Sequence, residues 1–114
     1  MNDVRHLDYD TLNALKDVME DEFAFLVETY LKDSSDRLVV LRDLLVDKNA
    51  DAIRRAAHSF KGSSSNLGAI QLMSLCARLE TKALADDLDS LEDDINQIET
   101  EFLVVKQKML DYLG

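Results

Sequence analysis

Apolar side chains recur every three or four residues along most of the chain, a spacing that places them on one face of an α-helix. Strand-like alternation is absent, and the chain contains no proline. The pattern predicts a short helix capped by Asp8 or Asp10, then a longer helix from Glu20 or Asp21 to about Asp47. The apolar positions of these two helices are Leu12, Leu15, Met19, Phe23, Leu26, Tyr30, Leu38, Leu41 and Leu45.

Three further helices follow. Asn49 can cap the third helix, the fourth begins after Gly68, and Ser90 with Asp93 resembles a capping box for the last. The last helix keeps apolar residues at the a and d heptad positions, which indicates a buried seam rather than a dimer zipper. The apolar positions of these three helices are Ile53, Ala56, Phe60, Leu67, Leu72, Cys76, Leu79, Ala83, Leu91, Ile95, Ile98, Phe102, Val105, Met109 and Tyr112.

Four amphipathic helices joined by short connections are typical of an antiparallel up-down four-helix bundle. We therefore predict an all-α fold of this kind, with an additional short N-terminal helix. The 114 residues suit one domain spanning 1–114, in which residues 1–7 form a loose N-terminal lead-in.

Composition narrows the class of partner. The formal net charge of −10 argues against nucleic acid and anionic membranes as partners. No apolar run approaches the length of a membrane span, and no signal peptide is recognisable. The single cysteine fits a reducing compartment, so we expect a cytoplasmic protein, and a monomer because the heptad seam is buried.

The polar face of the third helix carries a histidine among cations. His58 is predicted to face solvent, where a neutral imidazole can act as a nucleophile. Gly62, one turn later, costs about 0.8–1 kcal/mol relative to alanine, which indicates that a large partner comes close there. The alternative is that the helix begins to unwind at Gly62. This polar face consists of Asp51, Arg54, Arg55, His58, Lys61, Gly62 and Ser65.

Counting from Gly68 places a carboxylate near this histidine. His58 precedes Gly68 by ten residues and Glu80 follows it by twelve, so rises of about 15 Å and 18 Å bring both to similar heights on antiparallel helices. Glu80 could accept the Nδ1 proton and leave Nε2 free to attack, or it is merely a solvated residue. Lys61 could offset the charge of a phosphoryl group on His58, or serve solubility.

The run from His58 to Ala69, His-Ser-Phe-Lys-Gly-Ser-Ser-Ser-Asn-Leu-Gly-Ala, closely resembles the signature of histidine-containing phosphotransfer (HPt) domains. That signature is His, any residue, an apolar residue, Lys-Gly-Ser-Ser or Ala, and Leu-Gly a few residues on. The strong match covers about a quarter of the chain. Residues of the next helix also look like the family's: Leu72, Cys76, Leu79, Glu80 and Ala83.

The resemblance implies the roles of the central residues. His58 would be the phospho-acceptor, Lys61 would support the phosphoryl group, and Gly62 would let the partner approach. The family often has Gln, or another polar residue, at the position of Glu80. A carboxylate there should favour the imidazolium form of the ring.

The resemblance further implies a phosphorelay intermediate without autonomous enzyme activity. It would take a phosphoryl group from the phospho-aspartate of one receiver domain and pass it to the aspartate of another. The expected partners are receiver domains of hybrid sensor kinases and response regulators. The receiver would hold Mg²⁺, so no intrinsic cofactor is expected. Arg54 and Arg55 could attract an acidic partner or serve only surface solubility. The candidate docking residues are Arg54, Arg55, Ser65, Leu7, Leu12 and Phe23.

Other classes fit the residues less well. Neither histidine has a glutamate three positions before it, and a zinc site from His6, His58 and Cys76 lacks further ligands, so no metal site is predicted. No Gly-rich nucleotide loop supports a kinase. The alternative function is a non-phosphorylated helical adaptor, against which the intact His58, Lys61 and Gly62 argue. The ends of the chain favour a free-standing protein over an excised domain of a hybrid kinase.

Overall fold

The described part of the computed structural model, residues 6–114, consists of helices and short connections. A 3-10 turn at Glu20–Glu22 links the first two helices, where the sequence predicts the start of the second. The α-helices are α1 (Tyr9–Met19), α2 (Phe23–Val46), α3 (Ala50–Asn66), α4 (Ile70–Leu84) and α5 (Leu91–Leu113).

Helices α2 to α5 form the bundle. Each packs against the next along the chain, and α2 also packs against α5, which closes the ring of four. The short connections make sequential helices antiparallel, as predicted. Among residues 6–114, no helix is both long and apolar enough to cross a bilayer.

Two of the three predicted helix caps are confirmed. Asp8 accepts a hydrogen bond from the backbone N–H of Asp10 at 3.1 Å, and Asn49 accepts one from that of Ala52 at 3.2 Å. The predicted capping box at Ser90 is wrong. Its hydroxyl instead accepts a hydrogen bond from Lys82 Nζ at 2.8 Å. Buried Asp94 holds the same ammonium at 2.8 Å, so Lys82 occupies the hydroxyl that would have capped the helix.

The core follows the predicted faces with two corrections. Ala57 rather than Ala56 is fully buried on α3. The loose lead-in is wrong at its end, because Leu7 is fully buried and His6 Nδ1 lies 2.7 Å from Glu101 Oε2 on α5. Residues 1–5 of that predicted lead-in lie outside the described part of the chain.

The turn between α3 and α4 requires a glycine. Gly68 has φ +74°, and a Cβ there would lie 3.0 Å from the backbone oxygen of Asp8. The Gly68 carbonyl also accepts a 2.8 Å hydrogen bond from the backbone N–H of Asp8. This contact docks the start of α1 on the turn, and the turn sets the height of α3 relative to α4.

Candidate functional site

His58 lies in the middle of α3 with 65% of its side chain exposed. Its Nδ1 lies 2.8 Å from Glu80 Oε2 on α4, which confirms the contact expected from the count to Gly68. An ionised carboxylate only accepts hydrogen bonds, so the ring proton is on Nδ1. Among residues 6–114, Nε2 has no hydrogen-bond partner. Its lone pair therefore faces solvent.

Glu80 joins the histidine to a lysine. Lys61 Nζ lies 2.6 Å from Glu80 Oε1, while the other carboxylate oxygen accepts from His58. The hydrogen bond from Lys61 is the main cause that lowers the pKa of Glu80; partial desolvation opposes it, and the bond from His58 adds to it. Glu80 is therefore ionised at neutral pH and holds the imidazole of His58 and the ammonium of Lys61 on the α4 side of the site.

Gly62 is exposed on the same face of α3. The helix continues past it to Asn66 and Gly62 has no positive φ, so the predicted alternative of unwinding at Gly62 is wrong. A Cβ at this position would meet nothing within 4 Å. The packing of the chain itself therefore does not require glycine here, and the space above this backbone is open.

The two arginines predicted to attract a partner are held by a local acid. Arg54 and Arg55 lie 3.2 Å and 3.1 Å from the two carboxylate oxygens of Asp51, within the same helix. Their charges are thus partly offset before any partner arrives. Ser65 is exposed farther along this face. Docking by these three residues stays a prediction.

The apolar docking residues expected from the sequence are core residues. Leu7 and Leu12 are fully buried and Phe23 is 2% exposed, so none of them can touch a partner. The prediction was wrong because the apolar stripes of α1 and the start of α2 pack against the bundle. Sequence spacing identifies an apolar stripe but does not say whether another helix covers it.

A groove beside His58 offers a different surface. It has a volume of about 440 Å³ and lies between α1, α2 and α3. Its apolar walls are Leu15, Leu26 and Leu67, and its polar lining comes from Thr29, Tyr30, Asp33, Arg37, Ser63 and Asn66. Because α2 and α3 run antiparallel, the Arg37 end of the groove is the end nearest His58.

Arg37 is a neighbour of the site that sequence reasoning missed. Its Nη1 donates a 2.7 Å hydrogen bond to Oγ of Ser59, the residue after His58. The only signal in the sequence is a cation at the edge of the α2 stripe, and the reach of that side chain depends on how α2 packs on α3. Below it, Tyr30 and Ser64 share a buried 2.8 Å hydrogen bond, and burial raises the pKa of Tyr30 to about 12.

Metal ligands are not gathered in the described part of the chain. Among residues 6–114, no three His, Cys, Asp or Glu side chains lie close enough together to hold an ion. Cys76 is buried in the core, and this burial raises the pKa of its thiol to about 12. The thiol is therefore neutral at physiological pH and packs as a small apolar group.

Residues 26–110, from early α2 to late α5, match the family model of the Hpt domain. The chain belongs to the Hpt domain family. In this Hpt domain the matched segment contains His58, Lys61, Gly62 and Glu80.

Solved structures agree with this assignment. The chain is similar to histidine-containing phosphotransfer protein B (HptB) of Pseudomonas aeruginosa, with 41% identity, a TM-score of 0.92, and coverage of 94% of this chain and 93% of that one. It is also similar to the histidine-containing phosphotransfer protein MtHPt2 of Medicago truncatula, with 28% identity, a TM-score of 0.81, and coverage of 96% and 77%. A rice protein at 19% identity and TM-score 0.88 shares the fold, with coverage of 99% and 85%. No curated protein sequence matches the chain significantly.

Proposed function

We propose that this Hpt domain is a phosphorelay intermediate of two-component signalling and that His58 is its phospho-accepting residue. One observation carries the proposal: a solvent-facing imidazole has Nδ1 held by Glu80 and Nε2 without a partner in the described chain. The similarity to HptB, a histidine-containing phosphotransfer protein, supports the same class.

The transfer step follows from the tautomer. The Nε2 lone pair attacks the phosphorus of a receiver's aspartyl phosphate, the N–P bond forms, and the bond from phosphorus to the aspartate oxygen breaks. The aspartate leaves as a carboxylate, and no proton is lost. The ring keeps its Nδ1 proton and becomes a phospho-imidazolium, whose positive charge Glu80 stabilises across the 2.8 Å contact. Transfer to the next receiver reverses the same steps.

Lys61 and Gly62 support this step in different ways. Lys61 holds Glu80 in place and lies one helical turn from His58, where its charge favours an incoming phosphoryl group. Gly62 has no side chain on the face that the receiver must approach, and nothing in the chain fills that space. We assign Lys61 to charge support and Gly62 to close approach of the partner's backbone.

The groove between α1, α2 and α3 is the docking surface that fits a receiver domain best. It joins the His58 face at Arg37 and has half-buried apolar walls at Leu15 and Leu26. The partners are receiver domains of hybrid sensor kinases and response regulators, and Mg²⁺ is held by the receiver's carboxylates. This Hpt domain acts as a monomeric carrier without enzyme activity of its own, in the cytoplasm, where its single thiol stays reduced.

Incubation with a receiver carrying radiolabelled phospho-aspartate tests the proposal. The wild-type chain is expected to take up label, and His58→Gln is expected to abolish uptake. His6→Gln is the matched control because it changes the only other histidine, and it should label like the wild type. Equal labelling of wild type and His58→Gln would refute the site. No labelling of the wild type by any receiver would favour a non-phosphorylated adaptor.

A further inference from the structure

The cations around His58 differ in their partners. Lys61 lies against Glu80, and both Arg54 and Arg55 lie against Asp51. Arg37 is the exception, because its Nη1 bonds to the neutral hydroxyl of Ser59. Among the described residues, no carboxylate lies within ion-pair distance of Arg37. Its charge is therefore not offset by an acid in direct contact.

The guanidinium lies on the opposite side of the imidazole from Glu80. Successive helix residues are rotated by about 100°, so Ser59 lies to the α2 side of His58 and Lys61 to the α4 side. The observed contacts agree, since Ser59 bonds to Arg37 of α2 and Lys61 to Glu80 of α4. A group bonded to Nε2 would have a cation on each side.

A phosphoryl group on His58 would be stabilised by this second cation. It carries a charge of about −1.5 to −2 and would lie near the ionised Glu80. Lys61 also pairs with that carboxylate at 2.6 Å, so its charge is shared between Glu80 and the phosphoryl oxygens. A guanidinium is planar, stays protonated and offers several N–H donors to phosphate oxygens.

We propose that Arg37 binds the phosphoryl group of phospho-His58 and thereby stabilises the phosphorylated state of this domain. This inference rests on the proposed function. Before transfer, the guanidinium donates a 2.7 Å hydrogen bond to Oγ of Ser59, the residue after His58. After transfer, the guanidinium donates to the phosphoryl oxygens from the α2 side. No bond beyond those of the transfer itself is made or broken.

The equilibrium of phosphoryl exchange between this domain and one receiver provides the test. The equilibrium constant between the free species depends on the stability of phospho-His58 and not on how tightly the partners dock. Arg37→Gln is expected to shift this constant about tenfold towards the phospho-receiver, as expected for losing one charge-assisted hydrogen bond. Arg37→Lys keeps the positive charge but loses the planar guanidinium with its several N–H donors, so it should give an intermediate shift.

Lys32→Gln is the matched control. It removes one positive charge from the same helix at a largely exposed position, where the ammonium pairs with Asp36 at 3.2 Å. It should leave the equilibrium constant unchanged. Thermal unfolding of each variant verifies that it is folded, and the conservative Arg37→Lys keeps the test valid if Arg37→Gln does not fold.

Three results would overturn the inference. An unchanged equilibrium constant in Arg37→Gln would show that the guanidinium does not stabilise phospho-His58. Slower transfer with an unchanged constant would assign Arg37 to receiver docking instead. An equal shift of the equilibrium constant in Lys32→Gln would show that the loss of any positive charge on α2 produces the effect. Failure of the wild-type chain to accept label would instead count against the proposed function, so the two failures are distinguishable.

Discussion

The imidazole Nδ1 of His58 lies 2.8 Å from Oε2 of Glu80, on the neighbouring helix. The second oxygen of the same carboxylate lies 2.6 Å from Lys61. The partly buried carboxylate of Glu80 therefore orients the ring, sets its tautomer and holds Lys61. It leaves Nε2 as the nitrogen that faces a partner.

Replacing the carboxylate of Glu80 by an amide separates orientation from charge. Glu80→Gln can still accept the Nδ1 hydrogen bond but cannot stabilise the phospho-imidazolium, whereas Glu80→Ala loses both. We expect the rate of transfer at saturating receiver to fall roughly tenfold in Glu80→Gln and further in Glu80→Ala. Rapid-quench measurement of labelled protein gives the rates.

Glu99→Gln is the control for Glu80→Gln, because it removes a carboxylate that pairs with Arg42 away from the site. It should transfer at the wild-type rate. Wild-type transfer by both Glu80 variants would show that the carboxylate does not take part in the reaction.

The stability of the fold should depend on the ionisation of Glu80. Lys61 lowers the pKa of Glu80 below its ordinary value of 4.5, so this carboxylate stabilises the folded state above that value and stops doing so as the pH falls through the folded-state pKa. The free energy of unfolding of the wild type minus that of Glu80→Gln should therefore shrink as the pH falls below about 4.5. Urea denaturation at several pH values measures it. A difference that grows as the pH falls below about 4.5 would contradict the sign.

Glycine at position 62 should lower the stability of the fold and leave room for the receiver to approach His58. A Cβ at Gly62 meets nothing within 4 Å, so Gly62→Ala should raise the free energy of unfolding by about 0.5–1 kcal/mol. The larger Gly62→Gln should slow transfer from the receiver, because its side chain fills the space that the partner needs. Urea denaturation and transfer kinetics measure the two effects.

Two controls accompany the Gly62 variants. Gly68→Ala should destabilise the fold, since its φ is +74° and the backbone of Asp8 lies in the way. Thr100→Gln places the same glutamine side chain at an exposed position on α5 and should not affect transfer. Wild-type transfer rates in Gly62→Gln would remove the case for a close approach at this glycine.

The groove between α1, α2 and α3 should matter for affinity rather than chemistry. Leu26→Gln places a polar group on its apolar wall, so transfer should slow at low receiver concentration and recover at saturation. Leu84→Gln, at a 71% exposed leucine near the end of α4, is the control and should behave as wild type. Titration of the receiver concentration separates the two regimes. Equal behaviour of both variants would place the docking surface elsewhere.

Helix geometry made part of the site predictable. The height match of His58 and Glu80 depends only on the rise per residue and on a turn at Gly68, both of which are local properties. The reach of Arg37 to Ser59 depends on how α2 packs on α3, and no local pattern contains that information.

The positions of Leu7 and Ser90 also depend on contacts that local sequence patterns do not contain. Leu7 does not belong to a helical apolar pattern, so the sequence does not identify it as a core residue. It is nevertheless buried, because the neighbouring Asp8 docks on the Gly68 turn. Ser90 has the spacing of a cap, but Lys82 of the preceding helix occupies its hydroxyl. In each case a contact between distant segments decides the outcome.

Direct observation of the phosphorylated nitrogen shows whether Nε2 of His58 accepts the phosphoryl group. Long-range ¹H–¹⁵N spectra of the ¹⁵N-labelled chain, recorded before and after phosphorylation by a receiver, resolve the ring nitrogens of both histidines. We predict that Nε2 of His58 shifts and couples to phosphorus while Nδ1 keeps its proton. Phosphorus coupling at Nδ1 of His58, or at His6, would contradict the account.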